Sequence, residues 1–240
     1  MPRTPKFRTL DWFLILGAGA VIFLGALPRL LPGLLAWSNP QIVYTVEGKA
    51  RQLYLTVDDG PGQHTEEILA VLAKHQVHAT FFITGDHVAS LAQLNRIRAL
   101  GHTLGNHLKS TRACSALTLA EFQRDFDFTA RLLERSGPSR LFRPPSDAGT
   151  AGQLAYARQR GYIPVGGTVF PLDHWFSRPF LLRHLIRWLA VDGGIIILHE
   201  GDEHGANTAA ALDQVIPRLR AAGYRFGDLE MDLSPRRARP

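Results

Sequence analysis

The chain has 240 residues, 45% of them hydrophobic and 20% charged, which is enough apolar material for one substantial core and a short appendage. The formal net charge is +6, but much of the excess lies near the two ends and no basic and aromatic groove pattern appears, so no nucleic-acid partner is expected. A single cysteine, Cys114, excludes an intrachain disulfide and says nothing about the redox compartment.

The amino-terminal segment begins with basic residues and continues with an uncharged apolar run. Residues 1–11 are predicted to be a cytoplasmic basic N-terminus. Residues 12–31 are predicted to be a signal-anchor or transmembrane segment, because about 17 uncharged residues approach the length that spans a bilayer and a positive flank stays in the cytoplasm. The expected localisation is therefore the cell membrane, single-pass, with the folded domain outside the cytoplasm. A secreted protein, released after signal cleavage, is the alternative.

Three further segments follow the apolar run. Residues 32–50 contain Gly, Pro, Ser and Asn without a clear helical period and are interpreted as a tether and an entry strand. Residues 51–230 are interpreted as one domain, and residues 231–240 as a basic tail. The ends are thus predicted to lie outside the folded unit.

Short apolar runs alternate with longer amphipathic runs through residues 51–230, which predicts strands alternating with helices and a parallel sheet. The predicted strands are Gln52–Val57, Ala79–Ile83, Thr103–Asn106, Arg140–Phe142, Ile163–Gly166, Ile195–Leu198 and Tyr224–Gly227. The predicted helices are Thr65–His75, Val88–Leu100, Leu119–Arg135, Ala151–Arg160, Pro179–Leu189 and Thr208–Ala222. Thr118 with Glu121 predicts a capping box on the third helix.

This element order favours a distorted or reduced (β/α) barrel with about seven parallel strands, preceded by the N-terminal transmembrane helix. A doubly wound open sheet is the runner-up. No glycine-rich phosphate turn follows the first strand to support it.

Polar residues collect where the predicted strands end, which is where active sites of parallel α/β folds lie. They are Asp58 and Asp59 after the first strand, Asn106 and His107 at the third, Arg143 after the fourth, and His199 and Glu200 after the sixth. We expect these side chains to share one site. The polar run of Glu200, Asp202, Glu203 and His204 is otherwise interpreted as a solvated loop.

Adjacent carboxylates such as Asp58 and Asp59 repel each other unless a positive group lies beside them, and a divalent cation is the strongest candidate. A metal next to His107 would supply that charge. Water bound to such a metal loses a proton readily, and Asp58 or Asp59 could accept the proton as the water attacks a carbonyl. His199 is then placed to protonate a departing amine. The pattern indicates metal-assisted hydrolysis.

These residues belong to longer motifs that resemble the polysaccharide deacetylases of carbohydrate esterase family four, which share the nodulation-type deacetylase domain. The resemblance covers about Gln52 to Leu229. Its motifs are LTVDDGP at 55–61, similar to the family's TFDDGP; ATFF at 79–82; GHTLGNH at 101–107, similar to GHEIGNH; FRPP at 142–145; LDHW at 172–175, a degenerate fourth motif; and IIILHE at 195–200.

The resemblance implies a role for each matched position. Asp58 is implied as the general base and His199 as the general acid. Asp59 and His107 are implied to hold a divalent metal, which in this family is usually zinc or another transition ion. Arg143 is implied to orient Asp58, and Asp173 to hold Arg143 or His199. The implied substrate-binding residues are Pro144 beside Arg143, and Trp175 and Leu198 around the acetyl methyl group.

The sequence departs from the family at Thr111. The second motif normally places another histidine, or an aspartate, four residues after His107, and a threonine hydroxyl is a poor zinc ligand. Asp147 and His64 are the candidates considered to replace the missing ligand. The departure leaves open what completes the site.

The predicted function is metal-dependent hydrolysis of N-acetyl groups on a polysaccharide such as peptidoglycan or poly-N-acetylglucosamine. The alternatives are a catalytically impaired relative that binds glycan without deacetylating it, and a barrel hydrolase or esterase acting on another acylated substrate. The expected partners are an N-acetylated glycan and, through the N-terminal segment, the membrane; the protein is expected to be a monomer. The sequence does not identify the glycan or the metal.

Overall fold

A computed structural model describes residues 26–146, 148–171, 178–201 and 205–234. These ranges form a parallel sheet covered by helices. Seven strands are present in them: β1 (Gln52–Gly60), β2 (Thr80–Ile83), β3 (Thr103–Asn106), β4 (Leu141–Phe142), β5 (Ile163–Pro164), β6 (Gly194–His199) and β7 (Arg225–Phe226). Every predicted strand is therefore confirmed, although β4, β5 and β7 are only two residues long.

Among the described residues, six helices connect successive strands and one more follows β7. They are α1 (Thr65–Lys74), α2 (Leu91–Ala99), α3 (Leu119–Ser136), α4 (Ala151–Gln159), α5 (Pro179–Leu189), α6 (Gly205–Ala221) and α7 (Leu229–Leu233). The six predicted helices are confirmed to within a few residues, and α7 is additional. The predicted capping box is also present: the backbone N–H of Glu121 donates to Thr118 Oγ1, and Thr118 N donates to Glu121 Oε2 at 2.8 Å.

The sheet has the strand order β5-β4-β3-β2-β1-β6, and β7 pairs with the start of β1. All these pairings are parallel. Single bridges link the two edges: Val43 pairs with Val165 beyond β5, and Thr45 pairs with Gly194 at the start of β6. The sheet therefore curls into a half-barrel, which agrees with the predicted distorted barrel and not with an open doubly wound sheet.

Strand alternation divides the core into an inner and an outer part. Along β1, Leu53, Leu55 and Val57 face the surrounding helices and belong to the largest apolar cluster. Tyr54 faces the other way, into a cluster inside the curled sheet. Because neighbouring residues point to opposite faces, the even-numbered residues of β1 line the interior, and this places Asp58 at its carboxyl end.

A helix occupies residues 26–38, where the sequence favoured the end of a membrane span followed by a tether. Pro28 is buried and Leu35 packs against an aromatic cluster of the domain, so this segment rests on the folded unit. Most of the predicted membrane segment, 12–25, lies outside the described residues. Within the part of the chain that the structure describes, no helix has the length and apolar character needed to cross a bilayer.

Candidate active site

Asp58 and Arg143 form a buried ion pair at the carboxyl ends of β1 and β4. The guanidinium Nη1 of Arg143 donates to Asp58 Oδ1 at 2.6 Å, and both side chains are only 4% exposed. A charged hydrogen bond at this distance, out of water, fixes the carboxylate in one orientation. The prediction that Arg143 orients Asp58 agrees with this contact.

Arg143 is held in turn by groups on several strands. Its Nη1 also donates to the hydroxyl of Thr56 at 2.6 Å, and its Nη2 donates to the carbonyl of Gly166 at 2.8 Å. The guanidinium carbon lies 4.1 Å from the ring centre of Phe82. Burial lowers the pKa of Arg143, while the charge of Asp58 and its hydrogen bond oppose that shift. With Nε donating to the carbonyl of Val165 at 3.3 Å, each of the three guanidinium nitrogens donates a hydrogen bond.

Asp59 faces the cleft because the strand is irregular at this residue. Simple alternation would send Asp58 and Asp59 to opposite faces of the sheet. The register between β1 and β2 shifts between Val57 and Gly60, and Asp59 has a φ of 66°, in the left-handed region that aspartate tolerates. This local turn brings both carboxylates to the same cleft.

His107 follows β3 and is directed at Asp59. Its Nδ1 lies 2.8 Å from the carbonyl oxygen of Arg143, which can only accept a hydrogen bond, so Nδ1 carries the proton. Its Nε2 lies 3.5 Å from Asp59 Oδ1. In the neutral ring Nε2 therefore presents a lone pair toward the carboxylate, which is the orientation of a metal-binding histidine.

His199 ends β6, and its Cα pairs with that of Asp58 on the neighbouring strand. Ile197, two residues earlier, points to the same side and also lines the cleft. Leu198 points the opposite way and is fully buried in the outer core. The structure therefore places Ile197 at the apolar wall where the sequence suggested Leu198, because a shift of one residue along a strand changes the face.

The cleft at this end of the half-barrel has a volume of about 590 Å³. It combines all four predicted acid–base and metal residues with Arg143 and the predicted substrate residue Pro144. Thr111 lines it as well. Further lining residues that the sequence did not suggest include the apolar or aromatic side chains of Leu35, Ile42, Tyr44, Ile197 and Phe170.

Some residues discussed from the sequence lie outside the described residues: Asp147, the motif at 172–175 with Asp173 and Trp175, and Asp202, Glu203 and His204 of the polar run. His64 is described but is not among the residues that line the cleft. Its Nδ1 lies 3.3 Å from Glu67 Oε2 at the start of α1. In this structure His64 therefore does not take the place that the family gives to the ligand at position 111.

Glu200 is fully buried, which corrects its interpretation as part of a solvated loop. Its Oε2 accepts a hydrogen bond from Thr65 at 2.6 Å, and its Oε1 has no hydrogen-bond partner among the described residues. A Cβ added at Gly60 would lie 1.5 Å from that Oε1. Burial, and then the charge of Asp59, raise the pKa of Glu200 to about 7, against the Thr65 hydrogen bond. Glu200 thus packs against Gly60, in the turn that carries Asp59.

The donor set for a metal consists of Asp59 and His107. They provide one oxygen and one nitrogen of ligating type on the same wall of the cleft. Among the described residues, no group of three or more His, Cys, Asp or Glu side chains is arranged to hold a metal ion. The residues therefore fit two positions of a metal site, and Thr111 stands where the family pattern expects another ligand.

A curled parallel half-barrel with paired carboxylates and histidines at its strand ends defines a hydrolase-type α/β barrel. The polysaccharide deacetylase family model matches residues 45–165. A chitooligosaccharide deacetylase of Rhizobium leguminosarum bv. trifolii is 32% identical over 196 residues, covering 75% of this chain and 90% of the relative. The chain belongs to the polysaccharide deacetylase family.

Solved structures share this fold. The Bc1960 peptidoglycan N-acetylglucosamine deacetylase superposes with a TM-score of 0.76 at 26% identity, over 82% of this chain and 94% of its own. BA3943 from Bacillus anthracis, described as a family pseudoenzyme, gives 0.72 at 25% identity, over 79% and 67%. A BA3943 mutant is described as having restored enzymatic activity. A family 4 acetyl xylan esterase from Clostridium thermocellum, with a TM-score of 0.67 at 27% identity over 75% and 89%, contains a cobalt ion.

Proposed function

We propose that the protein is a polysaccharide N-deacetylase that hydrolyses N-acetyl groups on a glycan such as peptidoglycan or poly-N-acetylglucosamine. The observation that carries this proposal is the arrangement of two pairs on one cleft. Asp58 is held by Arg143 with 2.6 Å between their atoms, and Asp59 lies 3.5 Å from His107. The carboxylate of Asp58, held by Arg143, suits proton transfer, and the pair of Asp59 and His107 suits the binding of a cation.

Asp58 is proposed as the general base. It takes a proton from the attacking water as the water oxygen bonds to the acetyl carbonyl carbon. His199, adjacent to Asp58 in the sheet, donates a proton to the nitrogen as the carbon–nitrogen bond breaks, because an amine leaves poorly without one. The products are acetate and a free amino sugar.

Asp59 and His107 are proposed as the residues that hold a divalent metal, with zinc as the expected ion. When bound, the ion would lower the pKa of water and polarise the acetyl carbonyl. The hydrogen bond from His107 Nδ1 to the Arg143 carbonyl keeps Nε2 directed at Asp59. The cobalt ion in the related acetyl xylan esterase supports a metal of this class.

The apolar wall of the cleft suits the acetyl methyl group, and Tyr44 and Ile197 are candidates for this contact among the lining residues. Asp173 and Trp175 keep their predicted roles as proposals. We also propose that residues 12–31 attach a monomeric enzyme to the cell membrane with its domain outside the cytoplasm; release after signal cleavage is the alternative.

A second function is favoured by one observation, namely that Thr111 lines the cleft where the family has a histidine or an aspartate. The protein would then bind glycan without deacetylating it. The pseudoenzyme among the structural relatives supports this alternative. Its mutant with restored activity shows that an inactive protein of this fold can regain activity through substitution.

Acetate release from N-acetylglucosamine oligomers, measured with zinc or cobalt added, tests the two functions. The enzyme proposal expects acetate from the wild type and none from Asp58→Asn, which keeps the size of the side chain and removes its charge. His64→Gln is the control and should remain active. Glycan binding by the wild type without acetate release at saturating metal would support the second function.

A further inference from the structure

The helix at residues 26–38 exposes an apolar stripe to solvent. Leu30 and Leu34 are each 56% exposed and Trp37 is 83% exposed. Their spacing of four and three residues puts them on one side of the helix. The opposite side carries Pro28 and Leu35, which rest on the domain. The exposed stripe is therefore a fixed feature of the domain surface.

Helix α5 presents a second exposed stripe of aromatic and basic residues. Phe180 and Trp188 are 60% and 40% exposed, and His184 and Arg187 between them are also exposed. The ring centres of Phe180 and His184 are 4.5 Å apart. The inner side of α5 is apolar and buried through Leu182, Ile186 and Leu189. Packing of the core therefore does not account for the exposed aromatic residues of α5.

The helix at residues 26–38 and helix α5 border the same groove, whose volume is about 950 Å³. Pro28, Arg29 and Pro32 form one side, and His184, Arg187 and Trp188 form the other, with Arg51 and Tyr224 contributing to its lining. Asp192 is the carboxylate among the described residues that line it. The groove is thus basic, and the helix on each side of it carries one of the two exposed stripes.

We propose that this face docks on an anionic lipid surface. The docking face consists of Leu30, Leu34 and Trp37 with Phe180 and Trp188, around the arginines of the groove. Leucine and tryptophan beside arginine is the composition of helices that lie in a membrane interface, where apolar side chains enter the boundary of the acyl chains and arginines meet headgroups.

Charge favours lipid over a second copy of this chain as the occupant. A symmetric dimer through the docking face would bring Arg29, Arg51 and Arg187 of both copies together, which is unfavourable. An anionic headgroup layer neutralises the same charges. The proposal goes beyond the deacetylase function and does not depend on it, because none of these arginines lines the cleft with Asp58.

Tryptophan quenching by brominated lipids tests the proposal on the full chain. Four tryptophans are present, so changing Trp12, Trp37 and Trp175 to phenylalanine leaves Trp188 on α5 as the reporter, far in sequence from the proposed membrane segment at residues 12–31. The control reporter replaces Trp188 as well and carries Ala70→Trp, at an exposed position of α1. In brominated vesicles rich in phosphatidylglycerol, Trp188 should be strongly quenched and the residue at position 70 should not.

The electrostatic part is tested in the same vesicles. Arg187→Gln should weaken docking about fivefold, since an arginine near an anionic surface contributes about that much, whereas Arg135→Gln on α3 should leave it unchanged. Equal quenching at positions 188 and 70 would overturn the proposal. So would a Trp188 that is already shielded from solvent without lipid. Shielding that increases with protein concentration would indicate a dimer, and shielding at every dilution would indicate another segment of the chain.

Discussion

Arg143 reaches across the curled sheet from the end of β4 and places its Nη1 2.6 Å from Oδ1 of Asp58 at the end of β1. Two other strands, β2 and β3, lie between them in the sheet order. The contact exists only because the sheet curls, so the position of the proposed general base depends on the fold.

Replacement of the arginine should therefore affect stability as well as chemistry. Arg143→Met leaves a buried carboxylate without its partner, which is expected to lower the free energy of unfolding by about 3–5 kcal/mol. Urea unfolding measures this loss. Adding Asp58→Asn removes the unpaired charge and should recover part of the stability, although the double variant stays inactive. A single variant as stable as the wild type would mean that Asp58 does not depend on Arg143.

The contact between Gly60 and Glu200 predicts a coupled pair of substitutions. Gly60→Ala directs a methyl group at Glu200 Oε1 and should destabilise the protein by about 1–3 kcal/mol. In a Glu200→Ala background the same change should cost clearly less, because the obstructing carboxyl group is gone. Gly152→Ala, where nothing lies within 4 Å, is the control. Equal costs in both backgrounds would contradict the predicted coupling.

His102 predicts an acid-sensitive fold. Burial, and then the charge of His78, lower the pKa of His102 to about 4 from its usual value of 6.5. The folded state thus binds this proton more weakly than the unfolded state. The stability associated with neutral His102 is fully present above pH 6.5. As the pH falls from 6.5 toward 4, the free energy of unfolding decreases by about 1.4 kcal/mol per pH unit.

His102→Asn keeps an acceptor for the Ala79 backbone N–H, which His102 Nδ1 accepts at 3.2 Å, and removes the titration. Unfolding of both proteins from pH 7 to pH 4 measures the effect. The wild type should lose about 2–3 kcal/mol relative to the variant across this range. Parallel stability curves would show that another group governs acid sensitivity.

Thr111→His should strengthen metal binding. The side chain at position 111 lines the cleft that holds Asp59 and His107, so an imidazole there adds a third ligand. Even partners outside the ligand set alter affinity by about 10 to 100-fold, so the gain in zinc affinity should be at least about 10-fold. Calorimetric titration measures it. Ser110→His is the control, and an equal gain from it, or no gain from Thr111→His, would count against a missing ligand at position 111.

The sequence predicted the elements well where local pattern decides them. Thr103–Asn106 and Pro179–Leu189 have the predicted bounds. In the helix, apolar residues at helical spacing and the proline in its first turn are local signals. The meeting of Asp58, His107, Arg143 and His199 was also predictable, because parallel strands bring their carboxyl ends to one edge.

Features that depend on distant contacts were not predictable in the same way. Glu200 is buried because Thr65, 135 residues away in the chain, donates to it and Gly60 leaves room for it. The position of Asp59 depends on a register shift that no residue pattern announces. The prediction that Leu198 lines the pocket is a different case. Because side chains alternate along a strand, the inward position of His199 identifies Ile197, and not Leu198, as the residue that faces the cleft.

Zinc titration of the full chain is the most direct test of the central claim that Asp59 and His107 hold a metal in this cleft. We predict that the wild type binds one zinc ion, and that Asp59→Ala and His107→Ala each abolish this binding, because each removes one of the two ligands that the structure provides. His64→Gln should bind zinc like the wild type. Stoichiometric zinc in either the Asp59 or the His107 variant would contradict the account.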